Sequence, residues 1–274
     1  MSRFIDKEKF GPWAVITGAS SGIGKEFARQ IAASGINIVL VARREALLKE
    51  AGTEFSKEYG VRHRVVALDL SEDGFIGKLA SVTDDLDIGL VISNAGTGSP
   101  GRFLTNGRDE MATLLRLNTL AHLDIAHHFG RRLVKRRSGG LLFVGAMGAD
   151  KGIPYMANEA GAKSYVKSFS ESLHVEWKPL GVHVTVLPPG LTETAVLAKF
   201  GLVPGDALTR PMKVEQCVSE GLAAIQKNRS LIIPGRVNRI MNAVVPASVV
   251  RGMMAKLMSK ALAGKAAATG LSNS

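Results

Sequence analysis

Cysteine, long apolar runs and C-terminal acids are scarce in this chain of 274 residues. Its one cysteine, Cys217, excludes an internal disulfide and a cysteine-based metal cluster. No stretch of about eighteen uncharged apolar residues occurs, so we predict no ordinary transmembrane helix. The first residues mix acids with bases and lack the basic-then-apolar layout of a signal peptide, so we expect a cytoplasmic protein.

Acidic residues are absent beyond Glu220, although basic residues continue. Eight positive charges follow that position: Lys227, Arg229, Arg236, Arg239, Arg251, Lys256, Lys260 and Lys265. Of the formal net charge of +11, these eight leave only +3 for everything that precedes them. The basic character is therefore a property of the C-terminal segment, which argues against a nucleic-acid-binding domain.

Short apolar segments alternate with longer helical segments from residue 13 to about residue 233. The apolar segments are 13–16, 36–41, 65–68, 88–93, 141–144, 182–187 and 231–233, and the helical segments are 22–34, 44–59, 71–83, 108–137, 159–177 and 213–227. Continuous apolar strands between helices indicate a parallel sheet that is covered on both faces. We predict a single α/β domain, a three-layer doubly wound parallel sheet over residues 1–235, followed by a basic amphipathic tail over residues 236–274.

The first predicted strand runs into a glycine-rich turn, TGASSGIG, and then into a helix. Glycines in such a turn let a pyrophosphate approach a helix N-terminus, where free N–H groups and the helix dipole favour anions. The spacing is GxxxGxG rather than the GxGxxG of ordinary dinucleotide folds. We predict a nucleotide site that uses Gly18, Ser20, Ser21, Gly22, Ile23 and Gly24.

Four motifs in this order give the chain a family resemblance. They are the turn, Asp69-Leu70, Ser93-Asn94-Ala95-Gly96 and Pro189-Gly190-Leu191-Thr192. Over residues 11–235 the chain resembles the short-chain dehydrogenase/reductase family, which implies a Rossmann-type fold, a nicotinamide cofactor and a dimer or tetramer. The resemblance also implies contacts from Asp69 to the adenine, from Asn94-Ala95-Gly96 to the sheet beside the cofactor, and from Thr192 to the nicotinamide carboxamide.

The second predicted strand ends in Arg43 and Arg44, which bears on the choice of cofactor. An NAD enzyme places Asp or Glu here to bind both ribose hydroxyls. A guanidinium fork instead suits a 2′-phosphate, so we predict NADP as the cofactor. The alternative is that these arginines merely begin a solvated helix.

The resemblance fails at the catalytic residues. The family uses a Tyr, a Lys four residues later, a Ser about thirteen residues before the Tyr, and an Asn on an earlier helix. In the register that matches best, Asn118 and Lys163 remain, but Ala146 replaces the Ser and Glu159 replaces the Tyr. A second register places Tyr155 at the tyrosine position, but it puts the tyrosine directly after Pro154 and leaves Lys163 without a role.

These replacements leave three functions open. Ala146 cannot donate a hydrogen bond to a carbonyl, and an ionised Glu159 is a base rather than a proton donor. The chain is therefore an oxidoreductase for a small hydrophobic or acyl-type substrate with an atypical site, a cofactor-binding protein without turnover, or a non-redox isomerase or lyase that uses Glu159 as a base. A purely structural reading is that Glu159 and Lys163 form a helix-stabilising i,i+4 pair.

Three further segments carry predictions. Residues 191–212 are long enough for a substrate loop, and the basic run 131–137 either complements a helix end or docks phosphate-bearing substrates. We expect His122, His127 and His128 at the surface or at a subunit interface. The tail, broken by Pro246 into two short helices, is typical of a membrane-surface helix or of a helix that closes a pocket or a subunit interface.

Overall fold

The structure, a computed structural model, describes residues 4–193 and 211–269. Six parallel strands form one sheet in the order β3-β2-β1-β4-β5-β6. The strands are β1 (Trp13–Thr17), β2 (Asn37–Ala42), β3 (His63–Ala67), β4 (Ile88–Ser93), β5 (Gly140–Val144) and β6 (His183–Leu187). The predicted doubly wound α/β domain is confirmed.

Helices cover both faces of this sheet because successive strand residues point to opposite sides. In the described residues the helices are α1 (Lys7–Phe10), α2 (Gly22–Ala33), α3 (Glu45–Tyr59), α4 (Phe75–Ser81), α5 (Arg108–Leu115), α6 (Ala121–Arg136), α7 (Ala157–Trp177), α8 (Val214–Gln226), α9 (Arg236–Val244) and α10 (Ala247–Thr269). On one face Ile16 packs with buried residues of α2, α3 and α8, such as Phe27. On the other face Val15 packs with α4, α6 and α7, for example against Phe129.

The order of the strands reverses between β1 and β4, which are neighbours in the sheet. In an open parallel sheet this reversal leaves a crevice at the carboxyl ends of the strands, where ligands bind. The glycine-rich turn follows β1, residues 94–96 follow β4, and residues 188–192 follow β6. The fold therefore brings the motifs of the sequence to one edge of the sheet.

Several elements differ from the sequence prediction. Residues 231–233 form no strand; Leu231 makes an isolated parallel bridge with Val186 at the edge of β6. The helix predicted over 108–137 is interrupted by a π-helical turn, Arg116–Leu120, between α5 and α6. The tail forms two helices on either side of Pro246, but α10, with 23 residues, is not short.

The basic run 131–137 ends α6, and two of its five basic side chains contact the segment before β4. Arg132 donates from Nη2 to the carbonyl oxygens of Thr83, at 3.0 Å, and of Leu86. Arg136 lies 3.4 Å from the carboxylate of Asp87. These contacts account for two of the arginines by packing at the end of the helix.

Candidate functional site

The turn between β1 and α2 has a shape that only glycine permits at two positions. Gly18 has a φ of +69°, and a Cβ there would lie 2.6 Å from Nδ2 of Asn94. A Cβ at Gly24 would lie 2.3 Å from the carbonyl oxygen of Gly18. The turn consequently closes tightly onto the start of α2, which is the geometry that exposes helix N–H groups to an anion.

Asn94 and Ala95 fasten this turn to the end of β4. Nδ2 of Asn94 donates to the carbonyl oxygen of Thr17 at 2.9 Å. The hydroxyl of Thr17 accepts from the backbone N–H groups of Asn94 and Ala95 at 2.9 and 3.0 Å. Sequence reasoning overlooked Thr17, although its place as the last residue of β1, just before the first glycine, was a usable signal.

Arg44 lies against the same turn. Its Nη2 atom donates to the hydroxyls of Ser20 and Ser21 at 2.8 and 2.7 Å. Among the described residues no side chain caps the N-terminus of α2, and the hydroxyl of Ser21, at the cap position, accepts from Arg44. The guanidinium of Arg44 and the N–H groups at the start of α2 thus share one solvent-accessible corner of the crevice, next to Ser20 and Ser21. Groups of this kind can bind the phosphates of a dinucleotide.

Asp69, after β3, completes this end of the crevice. Its Oδ1 atom accepts from the backbone N–H and the hydroxyl of Ser71 at 2.9 and 2.7 Å, and Oδ2 lies 3.6 Å from Nη1 of Arg43. Burial raises the pKa of Asp69, but the hydrogen bonds from Ser71 and the charge of Arg43 outweigh it and hold that pKa below its ordinary value. Leu70 beside it is buried.

Lys163 and Asn118 meet at the end of the loop after β4. A Cβ at Gly96 would lie 3.1 Å from Nζ of Lys163 and 3.2 Å from Oδ1 of Asn118. Nζ of Lys163 donates to the carbonyl oxygen of Val144 at 3.0 Å. The side chain of Asn118 accepts from the N–H of Thr97 and donates to its carbonyl oxygen, at 2.9 and 2.8 Å. The π-helical turn holds this buried amide, and such turns are frequent at functional sites.

Glu159 lies half-buried in the first turn of α7, one turn before Lys163. Burial lowers the pKa of Lys163 to about 8, although the negative charge of Glu159 acts in the opposite direction. Ala146 follows β5, and its methyl side chain cannot form a hydrogen bond. Glu159 and Lys163 therefore form an ionisable pair at this end of the crevice.

Tyr155 lies outside α7, in the segment that precedes the helix, with a φ of +63°. Its carbonyl oxygen accepts from the N–H of Gly101 at 2.8 Å. The register that places Glu159 at the tyrosine position stays a prediction; in that register the lysine is Lys163, whose Nζ atom lies next to Gly96.

Residues 189–192 close the other end of the crevice. The carbonyl oxygen of Pro189 accepts from Met147 at 2.9 Å, and a Cβ at Gly190 would lie 3.0 Å from Nδ2 of Asn238 on α9. Thr192 is buried and pairs with Met212 across the two ends of the predicted loop 191–212. Most of that loop, residues 194–210, lies outside the described residues.

The expectation that His122 lies at a surface or an interface is wrong. It is buried, its Nδ1 atom lies 2.6 Å from the hydroxyl of Ser93, and its ring packs edge-on against Phe143. Burial, and to a smaller degree the charge of Lys163, lower the pKa of His122 well below its ordinary value. The sequence around His122 gives no sign that the ring is buried, because the hydroxyl that it contacts belongs to Ser93 on β4, 29 residues earlier.

Comparison with known proteins identifies related chains. The model of the short chain dehydrogenase family matches residues 12–202. A very-long-chain 3-oxoacyl-CoA reductase of Neurospora crassa is 36% identical over 193 residues, which are 69% of this chain and 58% of that one. A 7beta-hydroxysteroid dehydrogenase of Collinsella aerofaciens is 30% identical over 236 residues, 85% of this chain and 89% of that one. The chain thus spans well under two thirds of the fungal reductase.

Solved structures of dehydrogenases also resemble this chain. A structure from a study of 7beta-hydroxysteroid dehydrogenase stereoselectivity has a TM-score of 0.84 at 28% identity and covers 91% of this chain and 98% of its own. A short-chain dehydrogenase from Sphingobium yanoikuyae in complex with NADPH has a TM-score of 0.78 at 27% identity and covers 89% and 95%. Within the described residues, no helix has the length and apolarity that crossing a membrane requires.

Proposed function

Because the chain belongs to the short-chain dehydrogenase family, we propose that it is an NADP(H)-dependent oxidoreductase for an apolar carbonyl or alcohol, with Glu159 in the role of the proton-transferring tyrosine. The observation that carries the proposal is the convergence of Lys163 and Asn118 on Gly96, with Glu159 one helical turn from Lys163. NADP(H) donates or accepts the hydride in this chemistry.

The corner beside α2 fits the phosphates of such a cofactor. Arg44 already donates to Ser20 and Ser21, so its guanidinium is held next to the helix N-terminus. Arg43 is exposed and lies 3.6 Å from Asp69, which places a second cation beside the same corner. Two cations and no carboxylate at the end of β2 suit a 2′-phosphate rather than two ribose hydroxyls. The dehydrogenase from Sphingobium yanoikuyae, solved with NADPH, supports the same cofactor.

Glu159 and Lys163 have separate roles in this proposal, which are proton transfer and positioning of the cofactor. In alcohol oxidation, the carboxylate of Glu159 accepts the hydroxyl proton as the hydride leaves the carbon; in carbonyl reduction, the carboxylic acid returns that proton to the oxygen. Lys163 and Asn118 hold the ribose end of the cofactor and the loop around Gly96. A carboxyl group is ordinarily ionised at neutral pH, so the base form that alcohol oxidation requires is present there, and the rate of carbonyl reduction should rise as pH falls.

An open pocket of about 470 Å³ beside the start of α7 supports an apolar substrate. Its lining includes Phe103, Leu104, Met111, Tyr155 and Met156. Asn158, directly before Glu159, also lines it. The names of the relatives specify a very-long-chain 3-oxoacyl-CoA and a hydroxysteroid, and the acyl chain and the steroid ring system are both apolar, so an acyl or steroid-like substrate is the class to test first.

We also propose that the chain forms a homo-oligomer. Leu120 and Leu123 are exposed at the start of α6, where apolar side chains favour contact with a second copy. Light scattering of the purified protein tests this directly, and a monomeric mass would contradict it.

The test of the proposed function compares turnover of Glu159→Gln with that of the unaltered protein, using apolar alcohols with NADP+ and apolar ketones with NADPH. Loss of a general acid or base costs about 10²- to 10⁴-fold in kcat, and we expect a loss in this range with little change in cofactor affinity. Glu171→Gln, further along the same helix, is the matched control and should retain full activity. Unchanged turnover in Glu159→Gln would exclude the proposed role.

The second candidate is an NADP(H)-binding protein without turnover, which the methyl group of Ala146 favours. It predicts tight cofactor binding with no reaction for any carbonyl or alcohol. The double change Glu159→Tyr with Ala146→Ser would then create reductase activity, because the geometry for the cofactor is intact. Absence of cofactor binding would contradict both candidates.

A further inference from the structure

Helix α9 presents two opposite faces. Its inner face carries Asn238, which is buried and donates to the carbonyl oxygen of Pro234 at 3.0 Å. Its outer face carries Val237, Ile240 and Val244, which are 61%, 61% and 66% exposed. At 100° per residue these three positions lie within about 60° of one another and far from Asn238. They therefore form one apolar stripe that points away from the domain.

Fixed contacts hold the stripe in this orientation. Arg239 donates to the carboxylate of Glu220 at 2.8 Å, and the same carboxylate accepts from the N–H of Gly235 at 3.0 Å. At the other end of α9, Nζ of Lys151 donates to the carbonyl oxygens of Asn242 and Val245 at 2.6 and 2.9 Å. A rotation that buried the stripe would break these bonds, so the apolar face stays outside.

Exposed cations accompany the stripe along the tail. Arg236 begins α9, and Lys256 and Lys260 lie exposed on one side of α10, about 40° apart at 100° per residue. Val249, at the start of α10, adds a further exposed apolar side chain. No Asp or Glu follows Glu220 in the sequence, so no acid within the tail offsets these charges. An apolar face with cations along it is the pattern of helices that lie in a lipid interface.

We propose that α9 and the outer face of α10 bind an anionic lipid surface, with Val237, Ile240 and Val244 inserted among the headgroups and Arg236, Lys256 and Lys260 on the phosphates. Charge selects this occupant over a second copy of the chain. Two copies that met through this face would bring basic tails together without acids between them, which is repulsive. An anionic bilayer offers an apolar layer and negative charge together.

The test is flotation of the full-length chain with vesicles of phosphatidylcholine alone or mixed with phosphatidylglycerol. We expect binding to the anionic vesicles, little binding to phosphatidylcholine, and a decrease at high salt, where exposed charges are screened. Val237→Asn with Ile240→Asn and Val244→Asn should weaken binding by at least about tenfold, because three apolar side chains no longer enter the interface. Val175→Asn, at a 71% exposed apolar position on α7, is the matched control and should bind as the unaltered chain does.

Arg236→Glu with Lys256→Glu gives a second, independent variant, because both side chains are exposed. It should also lose binding to anionic vesicles, with an unchanged unfolding temperature. Equal binding of the unaltered chain to both vesicle types, or unchanged binding of both tail variants, would overturn the proposal. The proposal would also be overturned if the unaltered chain bound no vesicles and the triple asparagine variant formed smaller oligomers than the unaltered chain.

Discussion

Replacement of Arg44 by alanine tests the cofactor corner most sharply. The guanidinium of Arg44 is held at 2.7 and 2.8 Å from the hydroxyls of Ser21 and Ser20, so little ordering remains to be done when a phosphate binds. A hydrogen bond to a charged group contributes about 1.5–3 kcal/mol. Because Arg44 is exposed, we take the lower part of that range, which corresponds to a loss of roughly 10- to 30-fold in NADPH affinity.

The assay is calorimetric titration of the unaltered chain and of Arg44→Ala with NADPH and with NADH. NADH lacks the 2′-phosphate, so its affinity should change by less than about twofold. Lys49→Ala removes one positive charge from the same helix without touching the turn, because Lys49 pairs with Glu45 at 2.7 Å, and it should leave the NADPH affinity nearly unchanged. Equal losses for both cofactors, or no loss for either, would refute the assignment of Arg44 to the 2′-phosphate.

Three further predictions follow from single contacts. Gly24→Ala should abolish binding of both cofactors and lower the free energy of unfolding by about 1–3 kcal/mol, because the new Cβ would lie 2.3 Å from a carbonyl oxygen. The control is Gly77→Ala in α4, where a Cβ has nothing within 4 Å, and it should be neutral or stabilising in thermal unfolding. NADPH affinity of the unaltered chain should fall as pH rises through about 8, where Lys163 loses its charge, and the fall should be absent in Lys163→Met. The pKa of His122 is lowered in the folded chain. The stability that the neutral histidine contributes is therefore present above the ordinary histidine pKa, and it is lost by about 1.4 kcal/mol per pH unit as pH falls below that pKa. Denaturant titrations of His122→Leu should show a shallower loss of stability with falling pH.

Each of these has an outcome that would contradict it. Retained cofactor binding in Gly24→Ala would mean that the turn is looser than the structure shows. An identical pH profile in Lys163→Met would assign the change in affinity to another group. An unchanged acid slope in His122→Leu would place the acid sensitivity elsewhere, for example in His183, whose pKa burial also lowers.

The sheet and the cofactor turn were predictable because their signals are local. Most of the buried strands are continuous or nearly continuous apolar runs, and the glycines at 18 and 24 lie where side chains would collide with the backbone or with Asn94. A strand that is covered on both faces needs no long-range information to be recognised. The same holds for the two tail helices, which Pro246 separates.

Other features depend on contacts between distant segments and left no local pattern. The hydrogen bond between His122 and Ser93 joins α6 to β4, and the π-helical turn around Asn118 depends on packing rather than on helix propensity. At residues 231–233 the apolar run is strand-like, yet the structure there has only one bridge to β6. The role of Glu159 stays a prediction, because it concerns a reaction and not an arrangement of atoms.

The most direct test of the central proposal is hydride transfer itself. The protein is mixed with NADPH that carries deuterium at both C4 positions of the nicotinamide and with apolar ketones of the acyl and steroid classes, and the products are analysed by mass spectrometry. We predict an alcohol that carries one deuterium on the former carbonyl carbon, formed by the unaltered chain and formed about 10²-fold or more slowly by Glu159→Gln. Tight binding of NADPH without deuterium in any product, or equal rates in both proteins, would contradict the proposal.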